Sequence, residues 1–384
     1  MHFSFATSSR ILFGPGAASD LPEQAAELGQ RACLVTGSKP ERHQALIKKL
    51  RSTIEIPLTI PVAEEPNTDS LIKAARQAKA ESNDMVIAVG GGSVLDTGKA
   101  LAALLTNPGD LFDYLEVVGK GLPLTSRPAP CIAVPTTSGT GAEVTANAVL
   151  LSPRHQVKVS LRSPAMIPDI VLVDPELTLD VPPSVTAATG MDALTQLLEA
   201  FVTHAATPLT DGLCREGLVR AGRSLKQAFD HGDDIAARED MAVASLFSGM
   251  ALANAKLGAA HGFAAPLGGE FHAPHGAICA ALLPGVMAVN IRALRERMPN
   301  SPALARYAEV ARILTNTADA TPEDGIARIK QLCLHMNIPG LSAMGVTEKD
   351  FPNLAEKAGN ASSMKGNPIE LTRDELLEIL QLGD

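Results

Sequence analysis

Up to about Asp174 the chain alternates short apolar runs ("ACLVT", "DMVIAVG", "CIAVP", "DIVLVD") with longer segments such as "DSLIKAARQAKAES". Short apolar runs read as buried strands and apolar residues three or four apart as amphipathic helices, so this part predicts a parallel sheet flanked by helices. The opening "HFSFATSSRILFGPGA" differs: two short strand-like pieces with polar residues between them predict a sheet edge or a contact with a second copy. From Pro182 onward strand signals nearly vanish. Segments such as "SVTAATGMDALTQLLEAFVTHA" and "EDMAVASLFSGMALANAKLGAA" carry apolar and small residues at helical spacing. Prolines in "VDPELTLDVPP" mark the change, because proline continues neither a strand ladder nor a helix interior. The expected organisation is an α/β domain over residues 1–178 and an all-α domain over residues 179–384.

Composition narrows the class. Hydrophobic residues are 46% and charged residues 20% of the 384, the proportions of a folded globular protein. A net charge of −9, with no basic block longer than a pair, argues against nucleic acid or an anionic membrane as partner and leaves a small molecule. No uninterrupted apolar run reaches the length of a membrane helix, and Met1 to Arg10 lacks the pattern of a signal peptide, so a cytoplasmic location is expected. Cys33, Cys131, Cys214, Cys279 and Cys333 are odd in number and scattered, which predicts reduced, mostly buried residues. Cys279, four residues after His275, is within reach of a metal or substrate, but the expectation is a packing residue without a catalytic role.

Two loops carry candidate chemistry. "VIAVGGGSVLDTGKALA" sets Gly90, Gly91, Gly92 and Ser93 between a strand and a helix, where backbone amides and the helix N-terminus can receive a pyrophosphate. A tight turn without a ligand explains the same glycines equally well. "IAVPTTSGTGAEVT" then adds Thr136, Thr137 and Thr140 after a second strand, and two such loops define a crevice. Neither G-x-G-x-x-G nor a Walker lysine pattern is present, so the nucleotide scheme is a different one.

The helical part supplies a ligand set. Asp192 and Gln196 in "TGMDALTQLLEAF" lie one helical turn apart on one face, and a carboxylate among apolar residues needs a neutralising partner. In "AHGFAAPLGGEFHAPHG", His261 and His275 add two imidazoles, a ligand combination for iron, zinc or manganese that leaves positions open for substrate. Gly268, Gly269, Pro274 and Gly276 are expected to fold this stretch back as a loop so that the histidines converge. His272, on the same loop, is a candidate for proton transfer or for supporting the ligands.

Taken in order, "GGGSVLDTGKA", "PTTSGTGAEVT", "PDIVLVDPELT", "TGMDALTQLLEAF" and "HGFAAPLGG…PHG" resemble the iron-dependent (group III) alcohol dehydrogenases along nearly the whole chain. The resemblance implies a Rossmann-like N-terminal domain binding NAD(H) or NADP(H), an all-α domain holding a divalent metal, Fe2+ or Zn2+, and a cleft between them for a small alcohol or carbonyl substrate. This is the dehydroquinate synthase-like architecture, with a homodimer as the usual assembly. It implies that Gly90 to Ser93 hold the pyrophosphate, that Thr136, Thr137 and Thr140 line the adenosine side, and that Lys158 lies near the nicotinamide, a candidate catalytic position. Asn67 in "EEPNTD" and Asp96 also match the family pattern.

Two positions depart from it. Gln196 stands where the family has a third histidine, and an amide oxygen coordinates more weakly than imidazole or not at all. Asp192, His261 and His275 can serve without it. Ala265 replaces a histidine associated with proton transfer, which moves that role to His272, a water chain or the cofactor ribose. The alternative implied is a metal-independent reductase similar to the maleylacetate reductases; a lyase resembling the dehydroquinate synthases and a nucleotide-binding regulator are more distant readings. Gly37, followed by Ser38, Lys39 and Arg42, stands where NAD-preferring members carry an acid, so NADP(H) is expected with NAD(H) tolerated.

Overall fold

The apolar runs of the first half are strands: β1 (Arg10–Phe13), β2 (Arg31–Gly37), β3 (Glu55–Val62), β4 (Met85–Gly90) and β5 (Cys131–Pro135), then a hairpin of β6 (Asn147–Ser152) and β7 (Val157–Arg162), then β8 (Ile170–Val173). This computed structural model describes residues 2–155, 157–271 and 273–384. Every residue of β4, β5 and β8 is buried, which is why their sequences are continuously apolar and not alternating. Six strands pair in parallel in the order β1-β8-β5-β4-β2-β3, while β6 and β7 pair antiparallel in a separate ribbon. Of the two strand-like pieces at the start only Arg10–Phe13 pairs; it takes the sheet edge beside β8, and residues 2–8 build no ladder.

Between the strands run α1 (Leu21–Leu28), α2 (Gln44–Arg51), α3 (Thr68–Ala80), α4 (Gly92–Thr106) and the short α5 (Leu111–Tyr114). β2 lies between β3 and β4, so the chain leaves β2 on one side and returns on the other. The carboxyl ends of β2 and β4 therefore flank a topological switch point, the place where open parallel sheets bind ligands.

These elements form one compact unit, Ala6–Thr137 with Gly141–Leu179; Asp180–Asp384, with Ser138–Thr140 and the first few residues, forms a second. Within the second, α6 (Pro183–Val202), α7 (Pro208–Asp230), α8 (Ile235–Asn254), α9 (Ala259–Glu270) and α10 (His275–Arg297) are followed by further helices, and no strand occurs among the described residues. α6 is buried almost all round, through Met191, Leu194, Leu197, Leu198 and Phe201, so any polar residue it carries on these turns is buried too. α10 is long and apolar enough to cross a membrane, but 83% of its apolar window is buried inside the protein, as in a core helix. The "loop" expected around the histidines is mostly helix. Gly268 and Gly269 lie inside α9 and Gly276 inside α10, because tertiary burial of this small-residue stretch outweighs glycine's poor helix propensity.

Inside the α/β unit, Lys99 of α4 is fully buried; its Nζ lies 2.9 Å from Asp96 Oδ1 and donates to Thr145 Oγ1 at 2.8 Å and to the Asn147 carbonyl. Nearby Glu143 is also buried, and burial pushes its carboxyl up to about 7, against the smaller opposing pull of its own backbone N–H and of Lys99. The unfolded chain loses this proton near 4.5, so stability contributed by the protonated acid is full below that pH and drains away as pH rises to about 7. The drop amounts to about 3 kcal/mol at most. Urea unfolding at pH 5 and pH 8 should show Glu143→Gln losing less stability across this interval than the native chain; parallel losses in both would place the pH dependence elsewhere.

Candidate metal centre and cofactor loop

Three helices of the second unit converge on one carboxylate. α6 carries Asp192, only 2% exposed, α9 brings His261 in its first turn, and α10 begins with His275. The approach depends on Gly276: a Cβ there would stand 2.0 Å from the Ala188 carbonyl oxygen and 3.0 Å from Asp192 Cβ, so only glycine lets the start of α10 lie against α6. As a result Asp192 Oδ1 lies 3.3 Å from His261 Nε2 and 3.7 Å from His275 Nε2. His261 is buried, whereas the His275 side chain is 39% exposed, leaving the cluster open on that side.

A second carboxylate fixes the first imidazole. Glu199, seven residues after Asp192 and so on nearly the same face of α6, accepts from the Ala260 backbone N–H and from His261 Nδ1, both at 2.7 Å. A carboxylate only accepts, so Nδ1 donates, and the neutral ring then turns the Nε2 lone pair toward the Asp192 oxygen. Two lone pairs facing each other in a buried site repel unless a proton or a cation lies between them. The donor set therefore suits a divalent ion, with Glu199 as the outer support that orients ligating histidines. Glu199 escaped the sequence reading, although a second acid on an apolar helix face, two turns after Asp192, was its signal.

Cys279, expected to be a packing residue, also belongs here. Its Sγ is 3.8 Å from His275 Nε2, and one donor atom each from Asp192, His261, His275 and Cys279 lies within 4.8 Å of every other. The four-residue spacing from His275, visible in the sequence, puts the thiol one turn further along the same face of α10. Burial alone would raise the thiol pKa, but the facing His261 and His275 bring it below the usual value. A proton answers the same need for positive charge when no cation does: burial opposes charging His261, but Cys279, Asp192 and Glu199 outweigh it and raise its pKa well above the ordinary range. Gln196 is engaged differently: its amide oxygen accepts from Ser248 Oγ at 2.8 Å and its nitrogen faces the Thr140 carbonyl at 3.5 Å. Ala265 is exposed, and His272 lies outside the described residues.

In the α/β unit, Gly37 ends β2 and Gly90 ends the adjacent β4, both at the switch point. None of Gly90, Gly91 and Gly92 has positive φ; close packing is what excludes side chains. A Cβ on Gly90 would meet Val94 at 2.5 Å, and one on Gly91 would meet Thr137 Oγ1 at 3.3 Å. α4 starts at Gly92 without a side-chain cap, so its first amides, including that of Ser93, are available to an anion. Thr136 donates its N–H to the Gly90 carbonyl at 3.0 Å, tying the two loops together. Ser38 is exposed, and a Cβ at Gly37 would meet open space. Three other expected cofactor residues have protein partners. Asn67 caps α3 through Ser70 N–H, Asp96 accepts from Val149 N–H besides pairing with Lys99, and Lys158 pairs with Glu65 at 2.5 Å.

Comparison with known proteins accounts for both units. Residues 8–175 match the family model "Iron-containing alcohol dehydrogenase", and residues 186–382 match "Fe-containing alcohol dehydrogenase family, C-terminal". A 1,3-propanediol dehydrogenase of Klebsiella pneumoniae is 36% identical, the alignment covering 96% of this chain and 97% of that one. The crystal structure of a 1,3-propanediol oxidoreductase superposes with a TM-score of 0.91 at 32% identity over the full length of both chains. The sulfoacetaldehyde reductase of Bifidobacterium kashiwanohense, solved in complex with NAD+, does so at 0.86 and 27% identity, covering 99% of this chain and 98% of that one.

Replacing Glu199 by Gln keeps the side-chain shape and removes the charge that orients His261. Divalent-metal affinity, read by competition with a chromophoric chelator, should fall about 10–100-fold while the melting temperature changes little. Unchanged affinity would show that His261 needs no such support.

Proposed function

Since this chain belongs to the iron-containing alcohol dehydrogenase family, we propose that its redox chemistry is centred on the Asp192, His261 and His275 cluster, with the cofactor pyrophosphate held at Gly90 to Ser93. The protein is an oxidoreductase acting on CH–OH groups with NAD(P), and its substrates are small alcohols or the corresponding carbonyl compounds. What supports the assignment of the centre is one observation: a buried carboxylate oxygen within 3.7 Å of two imidazole nitrogens, one of them locked in orientation by Glu199.

When bound, a divalent ion supplies Lewis acidity that makes an alcohol more acidic and steadies charge on its oxygen, and the nicotinamide supplies the site that takes or gives hydride. The chain's own residues do the rest. Asp192 balances positive charge in a buried setting, His261 is held by Glu199 with Nε2 facing inward, and His275 stands at the exposed side where a substrate can arrive. The free amides at the start of α4 suit the pyrophosphate, presented by glycines packed too closely against Val94 and Thr137 to carry side chains. Asn67, Asp96 and Lys158 act through the frame: a cap on α3, a tie between α4 and the β6–β7 ribbon, and an ion pair on that ribbon.

NADP(H) is the preferred cofactor in this reading. Gly37 leaves room where a carboxylate would repel a 2′-phosphate, and Lys39 and Arg42 nearby are exposed and positively charged. The assembly is proposed as a homodimer, which sedimentation equilibrium measures directly.

Two experiments test these assignments. Removing metal with a chelator, or making Asp192→Ala, should lower kcat/KM at least 1,000-fold, close to the 4 kcal/mol of differential binding a lost charged contact represents. Full activity after both treatments would favour the metal-independent reductase. Gly37→Asp fills open space with a negative charge, so KM for NADP+ should rise more than tenfold while KM for NAD+ changes little. Equal changes for both cofactors would remove Gly37 from the 2′-phosphate site.

A further inference from the structure

We propose that Cys279 is itself a ligand of the cation, so that this chain holds its metal in a carboxylate–imidazole–imidazole–thiolate set that favours zinc-like ions. This rests on the reading of the cluster as a metal centre. It goes beyond that reading by naming the fourth donor and the class of metal it selects.

Geometry carries the argument. With metal–oxygen and metal–nitrogen bonds near 2.0 Å and metal–sulfur near 2.3 Å, a tetrahedral site places its O and N donors about 3.3 Å apart and its N and S donors about 3.5 Å apart. Here the carboxylate oxygen is 3.3 and 3.7 Å from the two imidazole nitrogens, and the sulfur is 3.8 Å from His275 Nε2. Three edges of a coordination tetrahedron are thus matched to within about 0.4 Å, and all four donor atoms lie within 4.8 Å of one another, a spacing one ion could draw together. They come from three helices, and Cys279 is presented by the turn of α10 that follows His275. The thiol is fully buried at the border of this donor cluster and an apolar core that includes Phe263, Ile278 and Leu282, out of reach of solvent reagents.

The neighbouring candidate for the fourth position has other work. Gln196 gives its oxygen to Ser248 and directs its nitrogen at a carbonyl, a pattern that fixes the amide to the surrounding protein. A thiolate in its stead brings a negative charge that, with Asp192, balances a divalent ion. Sulfur donors shift selectivity toward zinc and away from the harder ions that oxygen and nitrogen sites share.

Cobalt(II) tests the assignment on the full-length protein, because bound tetrahedral cobalt absorbs in the visible whatever its donors, while a cobalt–thiolate bond adds a near-ultraviolet charge-transfer band. Metal-free protein titrated with one equivalent of cobalt(II) should develop both signals. Cys279→Ser, nearly isosteric and checked for folding by circular dichroism, should keep the visible bands and lose the near-ultraviolet one. Gln196→Ala should retain both. Zinc affinity should fall at least tenfold in Cys279→Ser, with manganese affinity changed less than threefold. Visible bands without the charge-transfer band in the native chain, or a band that survives Cys279→Ser, would overturn the thiolate ligand and leave the metal centre standing. Failure of cobalt to bind at all would overturn the metal centre itself.

Discussion

A carboxylate on a helix buried almost all round has to be answered by positive charge, and the second unit brings two histidines to it. α6 offers no solvent-facing surface at Asp192, and the chain brings to it the first turns of two other helices, each with a histidine. Their arrival in register depends on glycine at position 276, where any side chain would run into the Ala188 carbonyl. Orientation depends on Glu199, which gathers Ala260 N–H and His261 Nδ1 on its two oxygens. Behind it, Asn367 accepts from the Ala259 N–H and exchanges hydrogen bonds with Asn290, which in turn bonds Tyr307. Such a satisfied polar network inside an apolar core holds the start of α9 in one position, the condition for His261 to keep its place beside Asp192 and His275.

In the α/β unit the proposed pyrophosphate site poses a different problem, that of bringing backbone close to an anion. Strand order opens a crevice at the ends of β2 and β4; Gly37 borders open space there, whereas Gly90 and Gly91 let the backbone pack closely against Val94 and Thr137. Their neighbours are held from beneath. Lys99, paired with Asp96 on its own helix, ties α4 to the segment leading into the hairpin through Thr145 and Asn147, and Asp96 reaches across to Val149. Residues that a family pattern marks beside the cofactor can thus be fixed in place by the frame they build, so that a change at Asp96 or Asn67 acts on loop position first.

What could be read from the chain alone divides along physical lines. Continuous apolar runs announced the strands, because a parallel sheet covered on both faces buries every side chain of its inner strands. The glycine loop, the threonine loop, Asp192, His261 and His275 stood out because rare residue types in a patterned context imply a need for them. Helical periodicity placed Asp192 and Gln196 on one face of α6 correctly.

The sequence by itself therefore determined the two classes of secondary structure, the change between them and the residue types available for chemistry, since these follow from local periodicity and side-chain character. Tertiary structure decided the rest. It alone made helix of the glycine-rich stretch around His261 and His275, gave Gln196 to Ser248, and set Glu199 behind and Cys279 beside the same imidazoles. Spacing along α6 and α10 put Glu199 and Cys279 on the right helix faces, but which partners they reach turns on how closely three helices pack and so on residues far apart in the chain.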